Sequence, residues 1–108
     1  MNGFVLAALW TLVAGSAAPA TQTFTGVISD SMCGNSHASM RMGPTDADCT
    51  IACIDAHGAL YVLVAGKNLY NLSDQKTPAQ FAGKKVKVVG TLDAKTNTIA
   101  TTSITASK

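Results

Sequence analysis

The residues best suited to chemistry in this chain are three cysteines and one histidine that lie in one segment. Cys33 and His37 are four positions apart, and so are Cys49 and Cys53. Side chains four positions apart lie on the same face of a helix, which suits two ligands that hold one ion. Three sulfur ligands and one imidazole match a closed tetrahedral zinc site. The sequence therefore predicts a metal site formed by Cys33, His37, Cys49 and Cys53, although the spacing is not the familiar C-x2-C.

Copper is the second metal that this segment suits. Met32, Met40 and Met42 lie close to the cysteines in the sequence, and thiolate and thioether ligands favour Cu(I). The same methionines can equally fill gaps in an irregular loop. The predicted cofactor is a zinc or a copper ion, with a structural role for zinc and a role in handling or sensing for copper.

Asp30 and Met32 are the possible supporting residues around the predicted ligands. Asp30 follows the first predicted strand and precedes Cys33 by three positions. Its carboxylate can accept a hydrogen bond from the His37 ring and so orient that ligand, or it can cap the turn, which is the favoured interpretation. His57, at the end of a predicted helix, is interpreted as an ordinary surface residue.

A disulfide without metal is the alternative for the cysteines. Thiols of exported proteins tend to oxidise. A bond from Cys33 to either Cys49 or Cys53 would close a loop of about 16 to 20 residues and stabilise the fold by roughly 3 kcal/mol. Cys49 and Cys53, within one helical turn, would form a poor disulfide. On this alternative the chain is a disulfide-stabilised domain that binds a protein or a small ligand.

Residues 1–20 are predicted to be a signal peptide. The apolar run from 4 to 13 is too short to span a bilayer. Ala18, Pro19 and Ala20 fit the small-x-small cleavage pattern. We therefore expect cleavage near Ala20, a periplasmic or secreted location, and no stable membrane insertion afterwards. An uncleaved N-terminal anchor is the alternative.

The remaining residues, 21–108, are predicted to form a single domain of strands around an insertion. Strands are expected at 23–29, 60–64, 69–72, 84–92 and 98–105. The insertion covers about 30–58, with a helix that starts near Cys49, is capped by Thr45, Asp46 or Asp48, and ends at Gly58. A short helix is expected just before Gly83.

Five strands with a helix between the third and the fourth follow the order of the OB fold. The predicted fold class is mostly β: a five-stranded OB-fold-like barrel with a short helix and a Cys/His-containing helical insertion after strand 1. A small open sandwich is the alternative.

Composition argues against several classes of function. Only 13% of the residues are charged and the net charge is +2, whereas nucleic-acid binding usually requires clustered basic residues. No set of nucleophile, base and orienting group is recognisable, and the C-x-x-C of thiol oxidoreductases is lacking. The sequence therefore predicts a non-enzymatic module, with thiol redox activity as the enzymatic alternative. Its expected partner is an unidentified protein or small ligand and not a nucleic acid, and the odd number of cysteines allows a dimer through an unpaired thiol.

Four segments carry a resemblance to known proteins: GVISDSMCGNSH at 26–37, DCTIAC at 48–53, GALYVLV at 58–64 and FAGKKVKVVGTLD at 81–93. In these segments the chain resembles a family of small secreted bacterial domains of uncharacterised function, over about residues 23 to 104. The resemblance implies an exported OB-like barrel with a Cys/His insertion. It places the features of that insertion on Asp30, Cys33, Gly34, His37, Cys49 and Cys53. It implies no established activity, substrate or cofactor.

Overall fold

The structure, a computed structural model, describes residues 20–34, 36 and 43–107. These residues form the strands β1 (Gln22–Asp30), β2 (Tyr61–Ala65), β3 (Asn68–Leu72), β4 (Lys85–Asp93) and β5 (Thr98–Ala106), together with the helix α1 (Asp46–His57). A short 3-10 helix, Thr77–Phe81, lies between β3 and β4. Apart from Ala20, the predicted signal peptide lies outside the described residues. Within the described part of the chain, no helix has the length and apolarity needed to cross a membrane.

The five strands form one sheet in the order β1-β2-β3-β5-β4, and β4 pairs with β1 again so that the sheet closes on itself. Every pair is antiparallel except the short parallel pair of β3 and β5. The fold is thus mostly β, with one helical insertion after β1 and a short helix before β4, as predicted. The ends of each strand differ from the predicted ends by at most one residue.

The core lies on the inner side of the closed sheet. In β4, Val86 and Val88 are fully buried while Lys85 and Lys87 are exposed, because successive side chains of a strand point to opposite faces. The alternation of lysine and valine in the sequence of β4 therefore corresponds to its outer and inner faces. The core residues from the other strands share this inward orientation; the largest are Ile28, Leu63 and Ile99.

The two ends of the insertion are joined at its base. The backbone N–H of Ser31 donates to the carbonyl of Leu60 at 2.8 Å, and the N–H of Leu60 donates to Ser31 Oγ at 3.0 Å. These bonds continue the antiparallel pairing of β1 with β2 by one further residue. The segment that leaves β1 and the segment that enters β2 therefore begin side by side.

Helix α1 packs directly on the backbone of Gly83. The N–H of Gly83 donates to the carbonyl of Ile28 at 2.8 Å, which fixes Gly83 against β1. A Cβ atom at Gly83 would lie 2.8 Å from the Cα atom of Ala47 in the first turn of α1. Further along the helix, Ile54 contacts both the core of the sheet and the buried cysteines. The helix that carries two of the predicted ligands is therefore held against the sheet at two points.

Candidate metal site

Local sequence signals determine both ends of α1. The Thr45 hydroxyl accepts a hydrogen bond from the Asp48 N–H at 3.1 Å and caps the helix. Asp46 and Asp48 lie in the first turn, where the helix dipole favours negative charge. Gly58 ends the helix in the left-handed conformation, and its N–H donates to the carbonyl of Cys53. The end at Gly58 is as predicted, but the helix starts three residues before Cys49 because Thr45 is the residue that caps it.

Cys49 and Cys53 lie one turn apart on the buried face of α1. Both are 0% exposed, and they pack with Ala59 and with the partly buried Ile54. Ile51, between them in the sequence, is 39% exposed. The helix therefore presents its two sulfur atoms to the protein interior, as the four-residue spacing predicted.

Cys33 lies on a tight turn that Asp30 holds in place. The Asp30 Oδ1 atom accepts hydrogen bonds from the N–H groups of Met32 at 3.0 Å and Cys33 at 2.8 Å. The N–H of Gly34 donates to the Asp30 carbonyl at 2.9 Å, and Ser29 Oγ donates to the Gly34 carbonyl at 2.6 Å. Asp30 thus caps the turn and is itself fully buried. Its carboxylate fixes the backbone position from which the Cys33 side chain extends.

The sulfur atoms of Cys33, Cys49 and Cys53 lie within 4.8 Å of one another. The distance between the Cys33 and Cys53 sulfurs is 4.0 Å, and none of the three cysteines is in a disulfide. With a Zn–S bond of about 2.3 Å, two sulfurs of a tetrahedral zinc site lie about 3.8 Å apart. Among the described residues, no further Cys, His, Asp or Glu joins this group. The cluster is compatible with a metal site.

The electrostatic environment of the cluster favours the protonated forms of Cys33 and Cys53 when no cation is bound. Burial raises the pKa of Cys33 to about 12, and the negative charge of Asp30 and hydrogen bonds to Cys53 and Cys49 contribute to the increase. Burial, followed by the charge of Asp30, also raises the pKa of Cys53. A bound metal ion would need to displace these protons, since thiolates are the ligands. Its positive charge would then offset the cost of burying negative sulfur.

The structure describes only some of the other residues that the sequence singled out. His37, Met40 and Met42 lie outside the described residues, so His37 as the fourth ligand stays a prediction. Met32 lies on the turn before Cys33 and is 45% exposed. Its role beside a metal also stays a prediction. His57 is exposed at the end of α1.

Two features that position the site were not singled out from the sequence. They are the hydrogen bonds between Ser31 and Leu60 and the contact of Gly83 with Ala47. Each joins residues that are about 30 positions apart or more, and no local pattern marks them. Only the position of Gly83 between a short helix and a strand gave a signal, and that signal indicated a helix end rather than a packing site.

Comparisons with known proteins do not assign the chain. No protein-family model matches it, no curated protein is significantly similar to it, and no solved structure is significantly similar to it. The resemblance to small secreted bacterial domains therefore stays a prediction. The functional argument depends on the geometry of the three cysteines.

Proposed function

We propose that this chain is an exported, non-enzymatic metal-binding module in which Cys33, Cys49, Cys53 and His37 bind one zinc or copper ion. The observation that carries the proposal is the group of three cysteines whose sulfurs lie within 4.8 Å of one another. Two of them come from a capped helix and the third from a capped turn. Such a preorganised set of soft ligands is what a thiophilic ion requires.

The arrangement of the sulfurs favours a metal over a simple disulfide domain. A structural disulfide needs two sulfurs about 2.05 Å apart and gives no reason for a third beside them. Here the third sulfur belongs to the same buried group. A single ion would link the turn at Cys33 to α1. Small domains with a modest core commonly use such a cross-link.

The choice between the two metals depends on the fourth ligand. Structural zinc is almost always four-coordinate, so zinc needs His37 in addition to the three sulfurs. Cu(I) is favoured by soft sulfur ligands, and three thiolates supply these without an imidazole. The two metals therefore predict different consequences for the loss of His37.

The scaffold that we propose for this site is an OB-fold-like barrel. The closed strand order β1-β2-β3-β5-β4 and the short helix between β3 and β4 support it. In this arrangement the metal site occupies the connection between β1 and β2. Residues 1–20 supply the proposed export signal.

The test is to purify the full chain under reducing conditions and to measure bound metal and titratable thiols on the same sample. We expect one equivalent of metal and three thiols after denaturation. Cys49→Ser and Cys53→Ser should lose the metal. His37→Ala should reduce the retention of zinc more than that of Cu(I). Ile51→Ser, an exposed substitution on the same helix, and His57→Ala are the matched controls and should retain the metal.

Two outcomes of these measurements would contradict the proposed metal site. No metal bound to the reduced chain, together with a single titratable thiol when the chain is purified without reductant, would support the disulfide-stabilised binding domain instead. Full metal retention by Cys49→Ser and Cys53→Ser, with circular dichroism showing that both variants are folded, would place the metal elsewhere and contradict the proposal.

A further inference from the structure

We propose that Cys33 and Cys53 are a redox pair that controls this site: their oxidation to a disulfide expels the metal and leaves Cys49 reduced. This inference rests on the proposed metal-binding function. It also gives a role to each of the three cysteines, because two form the disulfide and the third completes the metal site.

Geometry favours this pair. Cys49 and Cys53 lie one turn apart on the same helix, where the Cβ vectors do not converge well for a disulfide. Any bond within the cluster therefore involves Cys33, which belongs to a separate turn. The Cys33 sulfur lies 4.0 Å from the Cys53 sulfur, so a movement of about 2 Å brings the two to bonding distance.

The surroundings indicate which sulfur reacts first and which element moves. Cys33 is partly exposed, whereas Cys49 and Cys53 are fully buried. An external oxidant can therefore reach Cys33 before it can reach the other two. The turn that carries Cys33 is held by hydrogen bonds to Asp30 and Ser29. By contrast, α1 packs against the backbone at Gly83 and against the core, so the turn is the element that moves.

The reaction is thiol–disulfide exchange with an external disulfide. The Cys33 thiolate attacks one sulfur of that disulfide, forms a mixed disulfide and releases one external thiolate. The Cys53 thiolate then attacks the Cys33 sulfur, which forms the Cys33–Cys53 bond and releases the second external thiolate. Two electrons pass from the two cysteines to the external disulfide. The metal ion leaves with its charge unchanged, and Cys49 takes up a proton from water.

Metal release follows from the loss of two ligands. The thiolate is the form of cysteine that binds a metal, so the Cys33–Cys53 disulfide removes two of the three sulfur ligands at once. Of the three sulfurs, only that of Cys49 can then bind the ion, whereas a structural zinc site has four ligands. The disulfide and the bound metal are therefore alternative states of the same cluster.

The experiment uses the full chain loaded with zinc under reducing conditions and then treated with oxidised glutathione. A chromophoric chelator measures the zinc released, and free thiols are alkylated at each time point. Trypsin cleavage after Arg41 separates Cys33 from the other two cysteines, and fragmentation of the linked peptides in a mass spectrometer identifies its partner. We expect the loss of about one equivalent of zinc for each Cys33–Cys53 bond, with Cys49 recovered alkylated.

Variants and the unloaded chain separate this inference from the proposed function. The reduced, metal-free chain and its Cys49→Ser variant should both form the Cys33–Cys53 bond, whereas Cys53→Ser should not form an internal disulfide as its main product. A main product linking Cys33 to Cys49, or linking two chains, would overturn the inference, and so would a Cys33–Cys53 bond that leaves the zinc in place. Failure of the reduced chain to bind zinc or Cu(I) would instead overturn the proposed function, and the redox control with it.

Discussion

Gly83 is one of the two points at which α1 is held against the sheet, and its replacement by alanine tests whether this contact sets the geometry of the cysteine cluster. Gly83 has a φ of 74°, a left-handed conformation that costs alanine about 1–2 kcal/mol. The new Cβ atom would lie 2.8 Å from the Cα and N atoms of Ala47, and such overpacking costs typically 1–3 kcal/mol. We expect Gly83→Ala to lower the free energy of unfolding by about 2–5 kcal/mol in total.

The overlap should also weaken metal binding. To restore an ordinary contact, the first turn of α1 must move by about 0.6 Å, from 2.8 to 3.4 Å, whereas metal–ligand distances are held to within about 0.2 Å. Because α1 carries Cys49 and Cys53, we expect the affinity for zinc to fall by more than about tenfold, which corresponds to about 1.4 kcal/mol.

Gly66→Ala is the matched control for this substitution. Gly66 has a similar φ of 64°, but a Cβ atom there would meet nothing within 4 Å. The Gly66→Ala variant should therefore lower the free energy of unfolding only by the conformational cost, about 1–2 kcal/mol. It should bind zinc as the unmodified chain does. Urea unfolding of the metal-free proteins and zinc competition with a chelator measure the two effects. Equal stability and equal zinc affinity for the two variants would refute the view that Gly83 positions α1.

Three further predictions concern residues that fix the loops. Hydrogen bonds from the hydroxyl and the N–H of Thr77 and from the Lys76 N–H lower the pKa of Asp74. Its contribution to stability is therefore present above the unfolded-state pKa of about 3.9 and is lost as the pH falls through the lower folded-state pKa. Asp74→Asn should reduce this acid-dependent loss in urea titrations from pH 7 to 2, and an unchanged pH profile would argue against the assignment. Gln75→Ala removes three hydrogen bonds to the backbone at Tyr61 and Leu72 and should cost about 2–4 kcal/mol in urea unfolding; a loss below about 0.5 kcal/mol would contradict this. Asp30→Ala should reduce zinc affinity because it removes the cap of the Cys33 turn, whereas Asp30→Asn, which retains the accepting oxygen, should preserve most of it; equal losses would show that the charge of Asp30 matters more than the cap.

The strands could be predicted closely because their signals are local. In β4 the alternation of lysine and valine marks the buried face directly, and the ends of the strands agree with the structure to within one residue. The helix in the insertion was also predicted, with its end at Gly58. Its start was placed three residues late because Thr45, Asp46 and Asp48 are all suitable caps, and only the structure shows that the Thr45 hydroxyl fills this role.

For the candidate site, the sequence could name ligands but could not show that they meet. Spacing alone placed Cys49 and Cys53 on one face of a helix, since four residues make about one turn. It gave no information on the distance from this pair to Cys33, because the intervening residues can follow many paths. That distance is set by contacts between residues distant in the sequence.

The sequence by itself determined the strands, the helical insertion and the chemical identity of the cluster, because residue periodicity, capping side chains and ligand types are properties of short segments. The tertiary structure decided which sulfurs lie together. The Ser31–Leu60 hydrogen bonds join the ends of the insertion, and the contact of Gly83 with Ala47 holds α1 against the sheet. These interactions exist only after the sheet has closed and brought distant residues together. They place Cys33 4.0 Å from Cys53, which is the distance on which both the proposed metal site and its proposed redox control depend.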